Sequence, residues 1–335
     1  MLKEAMLYEK LDQERVQCVL CAHRCKIKPG DRGICGVREN VGGVLNTLVY
    51  AEAIAVHVDP IEKKPLYNFL PGTRSFSIAT VGCNFRCRFC QNADISQGPR
   101  EGVALRGQDF SPEQVVAGAK NYHCDSIAYT YTEPTIFFEY AYDTARLASA
   151  EGIKNIFVTN GYMTLEALET IQPYLDAANV DLKSFDDEFY RRVCGARLQP
   201  VLDTIQAMHE RGVWVEVTTL LITDLNDSDE EVSRIASFIV GLDPDIPWHV
   251  SRFTPRYQMT DRPPTPVERI HRAVEIGQEA GLRYVYAGNV PGDVYENTIC
   301  PSCGALAIGR IGYQTTVNLE GSRCASCGKE LAVIR

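Results

Sequence analysis

With 335 residues, 45% of them hydrophobic, the chain can bury a full core, and its length allows one large barrel-like domain with small appendages. Its net charge of −9 argues against nucleic acid as the main ligand. No segment has the uninterrupted apolar length of a membrane helix, and residues 1–6 run into charge without the apolar stretch of a signal peptide, so a cytoplasmic protein away from membranes is expected. There thiols stay reduced, and thirteen cysteines read as metal or cluster ligands rather than disulfides.

Four thiols come first. Cys18, Cys21, Cys25 and Cys35 follow C-x2-C-x3-C-x9-C, with Gly33 and Gly36 beside the last ligand letting the backbone turn around a metal. Zinc and a second [4Fe-4S] cluster both suit four thiolates, and zinc is slightly favoured because the ferredoxin run of ligands is not reproduced. His23 is expected to pack or face solvent, since four thiols fill a tetrahedral shell. Short strands follow at 43–50 and 53–58, where His57 reads as structural. The charged, proline-punctuated stretch 59–66 then leads to a domain boundary near Pro71 and Gly72.

From residue 73 strand and helix patterns alternate. Strands are expected at 76–81, 127–131, 156–159, 179–182, 214–220, 249–253 and 283–287. Ser111, with Pro112 and Gln114 behind it, caps one helix, and Thr164 starts another. Such alternation implies parallel pairing through right-handed crossovers, hence a full or partial (β/α) barrel, with reactive groups at the C-terminal ends of its strands.

The first barrel strand runs into Cys83, Cys87 and Cys90 at C-x3-C-x2-C. Three thiolates are one too few for a closed site, which suggests a [4Fe-4S] cluster with one iron open; the alternative is a zinc knuckle completed from elsewhere. The next strand ends in Thr132-Glu133-Pro134, a carboxylate able to receive an ammonium group, although a bare Glu-Pro pair also starts helices. Thr159 and Asn160 close the third strand. Asp181 and Lys183 at the fourth point to one side of an extended chain, which suits a polar ligand as well as it suits a solvated turn. Cys124 and Cys194 lie outside every cluster and read as buried structural thiols, Cys194 being close enough to the Asp181 strand for a place near the site. Arg252, Arg256 and Tyr257, before the proline-rich 261–266, form a candidate lid.

The tail carries Cys300 and Cys303, then Cys324 and Cys327, two C-x2-C-G knuckles that predict a ribbon with zinc favoured and rubredoxin-like iron as the alternative. The predicted organisation is therefore a cysteine-rich region with short strands at 1–72, a barrel at 73–292 and a zinc-ribbon-like module at 293–335.

The series Cys83-x3-Cys87-x-Phe89-Cys90, 131–134, 159–161 and 181–183 resembles the glycyl-radical-enzyme activases of the pyruvate formate-lyase activating type. With the N-terminal cysteines, 33–38, 251–255 and the C-terminal knuckles included, nearly the whole chain is similar to the AmmeMemoRadiSam system radical S-adenosylmethionine (SAM) enzymes. That resemblance implies a partial (β/α)6-type radical SAM barrel. It implies that Cys83, Cys87 and Cys90 ligate the cluster and that SAM chelates the open iron. It further implies Glu133 and Thr132 at the methionine ammonium, Asp181 and Lys183 at ribose and methionine carboxylate, Phe89 and the strand around 287–289 beside adenine, and Thr159 and Asn160 in the same pocket. An electron donor such as flavodoxin or ferredoxin and Memo-type and AMMECR-type partners are implied. The implied activity is reductive cleavage of SAM to a 5'-deoxyadenosyl radical that abstracts hydrogen from a substrate. Against the activases, Val158, Glu216 and Phe253-Thr254 replace residues of their cation and ribose contacts, which tilts the expectation from a protein glycine to a small molecule. The reading from another class, a zinc-ribbon nucleic-acid-binding protein on a degenerate barrel, meets the net charge as its objection.

Overall fold

A computed structural model describes residues 2–335. Its centre is an eight-stranded sheet: β1 (Ala55–Pro60), β2 (Arg74–Ala79), β3 (Ser126–Tyr129), β4 (Lys154–Thr159), β5 (Ala177–Asp181), β6 (Trp214–Leu221), β7 (Trp248–Arg252) and β8 (Val285–Gly288). Strands β2 to β8 are parallel and neighbours in sequence are neighbours in space, whereas β1 pairs antiparallel with β2 at the edge. Neither β1 nor β8 closes on the other, so the wall is a partial barrel, with seven parallel strands.

Between strands run α1 (Pro112–Asn121), α2 (Phe138–Ala150), α3 (Leu165–Ile171), α4 (Gln199–Glu210), α5 (Asp229–Leu242) and α6 (Val267–Glu279). Each covers the sheet with a 3.6-residue apolar stripe; α5 buries Val232, Ile235, Ala236 and Ile239. The Ser111 capping box forms as its spacing predicts, and Thr164 accepts from the amide of Ala167 at the start of α3. No helix among the described residues is long and apolar enough to cross a membrane.

The two cysteine-rich ends sit at opposite ends of the barrel. The N-terminal region, two small antiparallel sheets, rests on the loops that follow the parallel strands: Cys21 bridges to Met163, Ala22 donates to Tyr162 O at 2.9 Å, and Thr164 Oγ1 donates to Val19 O at 2.7 Å. The C-terminal module, with its own small core around Ile308, Leu319 and Val333, packs where those strands begin. There Ile334 bridges to Phe69, Asn68 donates to Ala332 O at 2.9 Å and the amide of Ala332 donates to Tyr284 just ahead of β8. The same end of the barrel is plugged by residues 67–68, whose amides donate to the buried Glu216 carboxylate at 2.9 and 2.8 Å, while His249 shares that carboxylate at 2.7 Å.

Candidate active site at the cysteine loop

The chain leaves β2 through Gly82, whose φ of +100° is open to glycine alone at low cost; a Cβ there would stand 2.8 Å from Val37 Cγ1 and 3.1 Å from Cys35 O. The cysteine loop that follows lies at the C-terminal ends of the strands and is held from three sides. Arg86 and Arg88 donate their amides to Cys194 O and Val193 O at 2.9 and 3.0 Å. Those carbonyls belong to a π-helical turn, Tyr190–Cys194, which Gly195 ends at φ +71° with no room for a side chain against Arg86. Arg100 donates to Cys83 O at 2.6 Å, to Phe85 O at 2.9 Å, and to Ile34 O. Asn160 Nδ2 donates to Asn84 Oδ1 at 2.7 Å, and Asn92 Nδ2 to Tyr131 O at 2.7 Å.

So fixed, Cys83 and Cys87 are buried and Cys90 half-buried, with Ser96 Oγ 3.2 Å from the Cys90 sulfur. Burial pushes the Cys83 thiol well up from its ordinary value, and the Glu133 and Cys87 charges add to this. The Cys87 thiol is raised by its contact with Cys194 and by burial, and Lys183 works in the opposite direction. Buried thiols of this kind ionise when a cation binds between them, and three on one short loop suit a cluster that leaves one iron for a ligand.

Asp181 and Lys183 face this loop and pair with one another at 2.9 Å, the Asp181 side chain keeping 36% exposure. The Lys183 ammonium lies 5.8 Å from the Phe89 ring, and Tyr190 OH accepts from the Lys183 amide at 2.9 Å. Thr132 Oγ1 donates to Thr80 O at 2.9 Å, tying its strand end to the start of the loop.

Glu133 departs from the expectation of direct contact with an ammonium group. Its side chain is fully buried: Oε1 accepts from Thr135 N at 3.0 Å, Thr135 Oγ1 at 2.5 Å and Thr159 Oγ1 at 2.7 Å, and Oε2 from Asn160 N at 2.8 Å. With four donors already on it, the carboxylate braces the ends of β3 and β4 rather than presenting charge to a ligand. Thr159 and Asn160 are likewise spent, on Glu133 and on the cysteine loop. At this strand end Tyr131 takes a φ of +63°, Thr130 O accepts from Thr132 N at 2.8 Å and Tyr131 O from Asn92, which leaves the carbonyl of Thr132 as the acceptor on offer.

Arg100, Ser96, Asn92 and Tyr190 went unremarked in the sequence, where nothing marks an arginine or asparagine that serves a loop's carbonyls. On the outer side of the loop, Arg86, Arg88, Arg100 and Arg192 line a cleft of about 320 Å³. His23 Nε2 meets Asn84 O at 2.9 Å. The ribbon cysteines converge, all four sulfurs within 4.8 Å of one another.

Residues 77–239 match the model of the radical SAM superfamily. An uncharacterised protein of Methanocaldococcus jannaschii is 44% identical over 337 aligned positions, covering 99% of this chain and 100% of the relative. The pyruvate formate-lyase-activating enzyme of Clostridium pasteurianum is 25% identical, over 51% of this chain and 71% of its own length. Among solved structures, a radical SAM methyltransferase from Sphaerobacter thermophilus shares the fold with a TM-score of 0.52, at 18% identity over 65% of this chain and 67% of that one.

Proposed function

The chain belongs to the radical SAM superfamily and is an enzyme of that class, and from this premise we propose that its cysteine loop cleaves SAM reductively to start hydrogen abstraction from a small molecule. The observation that carries the reading is that Cys83, Cys87 and Cys90 follow β2 on one short loop at the mouth of the barrel, with the Asp181–Lys183 pair beside Cys87. In this reading the three thiolates hold a [4Fe-4S] cluster. Bound together, cluster and SAM supply a 5'-deoxyadenosyl radical, with methionine as the other product.

The protein's own residues position and seclude. The carbonyl of Thr132 receives the methionine ammonium, its strand end kept in place by the Glu133 brace and by Asn92 on Tyr131 O. Lys183 offers a cation to the methionine carboxylate and Asp181 an exposed acceptor to the ribose hydroxyls. Gln258 donates to Arg88 O at 2.9 Å, which brings the 255–259 loop over the cysteines and screens them from solvent.

The small-molecule substrate is favoured over a protein glycine because residues that would distinguish an activase are used otherwise. Glu216 is buried at the far end of the barrel on the amides of Tyr67 and Asn68. Memo-type and AMMECR-type proteins are the partners proposed from the sequence resemblance, and the arginine-lined cleft suits an acidic electron donor such as flavodoxin or ferredoxin.

The test is anaerobic reconstitution with iron and sulfide, then dithionite and SAM. Methionine and 5'-deoxyadenosine in equal amounts are expected, and iron-replete protein that forms neither would refute the assignment. A glycyl radical generated in a partner protein would return the target to a glycine.

A further inference from the structure

The C-terminal module has little apolar core of its own. Seven residues form it, and two of them, Cys300 and Cys324, belong to the four-cysteine group. Burial on that scale does not offset the entropy of ordering a module, and small units of this kind are held by a metal ion. The geometry is ready for one. Cys300 and Cys327 sulfurs are 3.7 Å apart and those of Cys303 and Cys324 3.8 Å. A tetrahedral zinc with thiolates at about 2.3 Å spaces its sulfurs about 3.8 Å apart, so the four thiols close to the size of one ion. In each knuckle the last glycine donates its amide back to the first cysteine, Gly304 to Cys300 O at 2.9 Å and Gly328 to Cys324 O at 2.8 Å.

This module holds the segment 64–70 that plugs the barrel floor. The amide of Ile334 donates to Asn68 O and that of Leu70 to Ile334 O, both at 2.8 Å, so the chain after Cys327 is zipped to the plug. Arg310 of the ribbon donates to Tyr67 O at 2.6 Å, its guanidinium 4.2 Å from the centre of the Tyr67 ring. From the floor the plug reaches toward the mouth. Leu66 and Phe69 pack with Ala128, Ile156 and Ala177 of three neighbouring strands, and Pro65 O accepts from Asn179 Nδ2 at 2.7 Å. Lys64, 1% exposed, donates to Asp59 Oδ2 at 2.6 Å, and the same oxygen accepts from the Tyr131 hydroxyl. Tyr131 has the φ of +63°, a conformation that a bulky residue keeps only where its surroundings fix it. Two contacts do so: Asn92 of the cysteine loop on its carbonyl, and on its hydroxyl Asp59, which Lys64 of the plug holds in turn.

We propose that Cys300, Cys303, Cys324 and Cys327 bind one zinc ion, and that this zinc, by folding the ribbon, locks the plug and so sets the strand end at which SAM is bound. The coupling element is the ribbon itself, folded with its ion and unfolded without it, because the binding free energy of such a site is folding free energy. Without the ion, residues 67–70 lose Arg310 and Ile334, Lys64 is no longer held against Asp59, and Tyr131 leaves its left-handed conformation and carries the Thr132 carbonyl with it. The zinc touches no reactant; its part is positioning. The link to SAM rests on the proposed function, whereas the metal site does not.

Anaerobically reconstituted full-length Cys324→Ser/Cys327→Ser should contain about one zinc fewer per chain than the wild type and the same iron. It should bind SAM at least about fivefold more weakly in equilibrium dialysis. Arg310→Met leaves all four thiols in place, so it should keep the zinc and weaken SAM binding in the same direction. Coupling is reciprocal, and saturating SAM should therefore tighten wild-type zinc against a competing chelator, which an ion of purely local effect would not show. Equal zinc in wild type and cysteine variant, or a loss of iron in its stead, overturns the metal assignment. SAM affinity unchanged in the cysteine variant, or in Arg310→Met where the cysteine variant does not fold, overturns the coupling. Wild type with full iron and zinc that binds no SAM instead removes the proposed function and leaves the zinc site standing.

Discussion

The latch between the N-terminal region and the barrel gives the sharpest energetic prediction. Arg38 donates to Glu139 of α2 through both Nη atoms, at 3.0 and 2.9 Å, with side chains 2% and 1% exposed. Glu139 also accepts from Met6 N at 2.6 Å, and Arg38 donates to Met6 O at 2.8 Å, so the pair carries backbone as well as charge. Glu139→Gln keeps the shape but strands a guanidinium in the interior. Removing one partner of a buried pair costs about 3–5 kcal/mol, against at most about 1 kcal/mol for a surface bridge. The double variant Arg38→Met/Glu139→Leu removes both charges and should recover most of that loss, since apolar replacement of a buried pair is often neutral. Urea unfolding under anaerobic conditions, followed by far-UV circular dichroism, reads both. If Glu139→Gln costs less than about 1 kcal/mol, the pair is not bearing the desolvation its burial implies.

Three further expectations follow from the site. Glu133→Ala frees four donors at two strand ends and should cost about 2–5 kcal/mol as well as weaken SAM binding, with iron content kept; a variant of wild-type stability by thermal unfolding would show that the brace is idle. Cys194→Ala should leave all iron in place, because Cys194 touches Cys87 from behind without belonging to the ligand set, and loss of about four irons on metal analysis would make it a ligand. Burial would raise the Asp59 carboxyl, but hydrogen bonds from Lys63, Lys64 and Tyr131 outweigh it and hold it well below the usual carboxylate range. Its stabilisation is therefore complete above about pH 4, the ordinary value, and lost as pH falls toward the lowered one, so the stability gap between wild type and Asp59→Asn should narrow from pH 5 to pH 3 in urea titrations. A gap independent of pH would contradict this.

The barrel was legible because its signals are periodic and local. Alternation of apolar strands with capped helices places β2 to β8 within a few residues of their expected positions, and the Ser111 box needs only four consecutive side chains. What escaped are contacts among segments far apart in sequence. Read along the chain, Glu133 is a free carboxylate at a strand end; only folding brings Thr135, Thr159 and the Asn160 amide onto it. Likewise, cysteine spacing constrains which thiols can share a metal but not how far apart their sulfurs settle, and so C-x2-C-x3-C-x9-C did not separate a zinc ion from a larger cluster.

The position of the two four-cysteine modules separates them in a way their spacings could not. The C-terminal module sits where the strands begin, tied to Phe69 and Asn68. The N-terminal cysteines instead lie against the loop that carries Cys83, through Gly82, Asn84 and Arg100. The polar contacts across this seam run from backbone carbonyls of one loop to side chains anchored in the other, so that the separation of the two cysteine sets is set by Arg100 and by the missing side chain of Gly82. Moving either would change the distance between the sites before it changed the ligands of either.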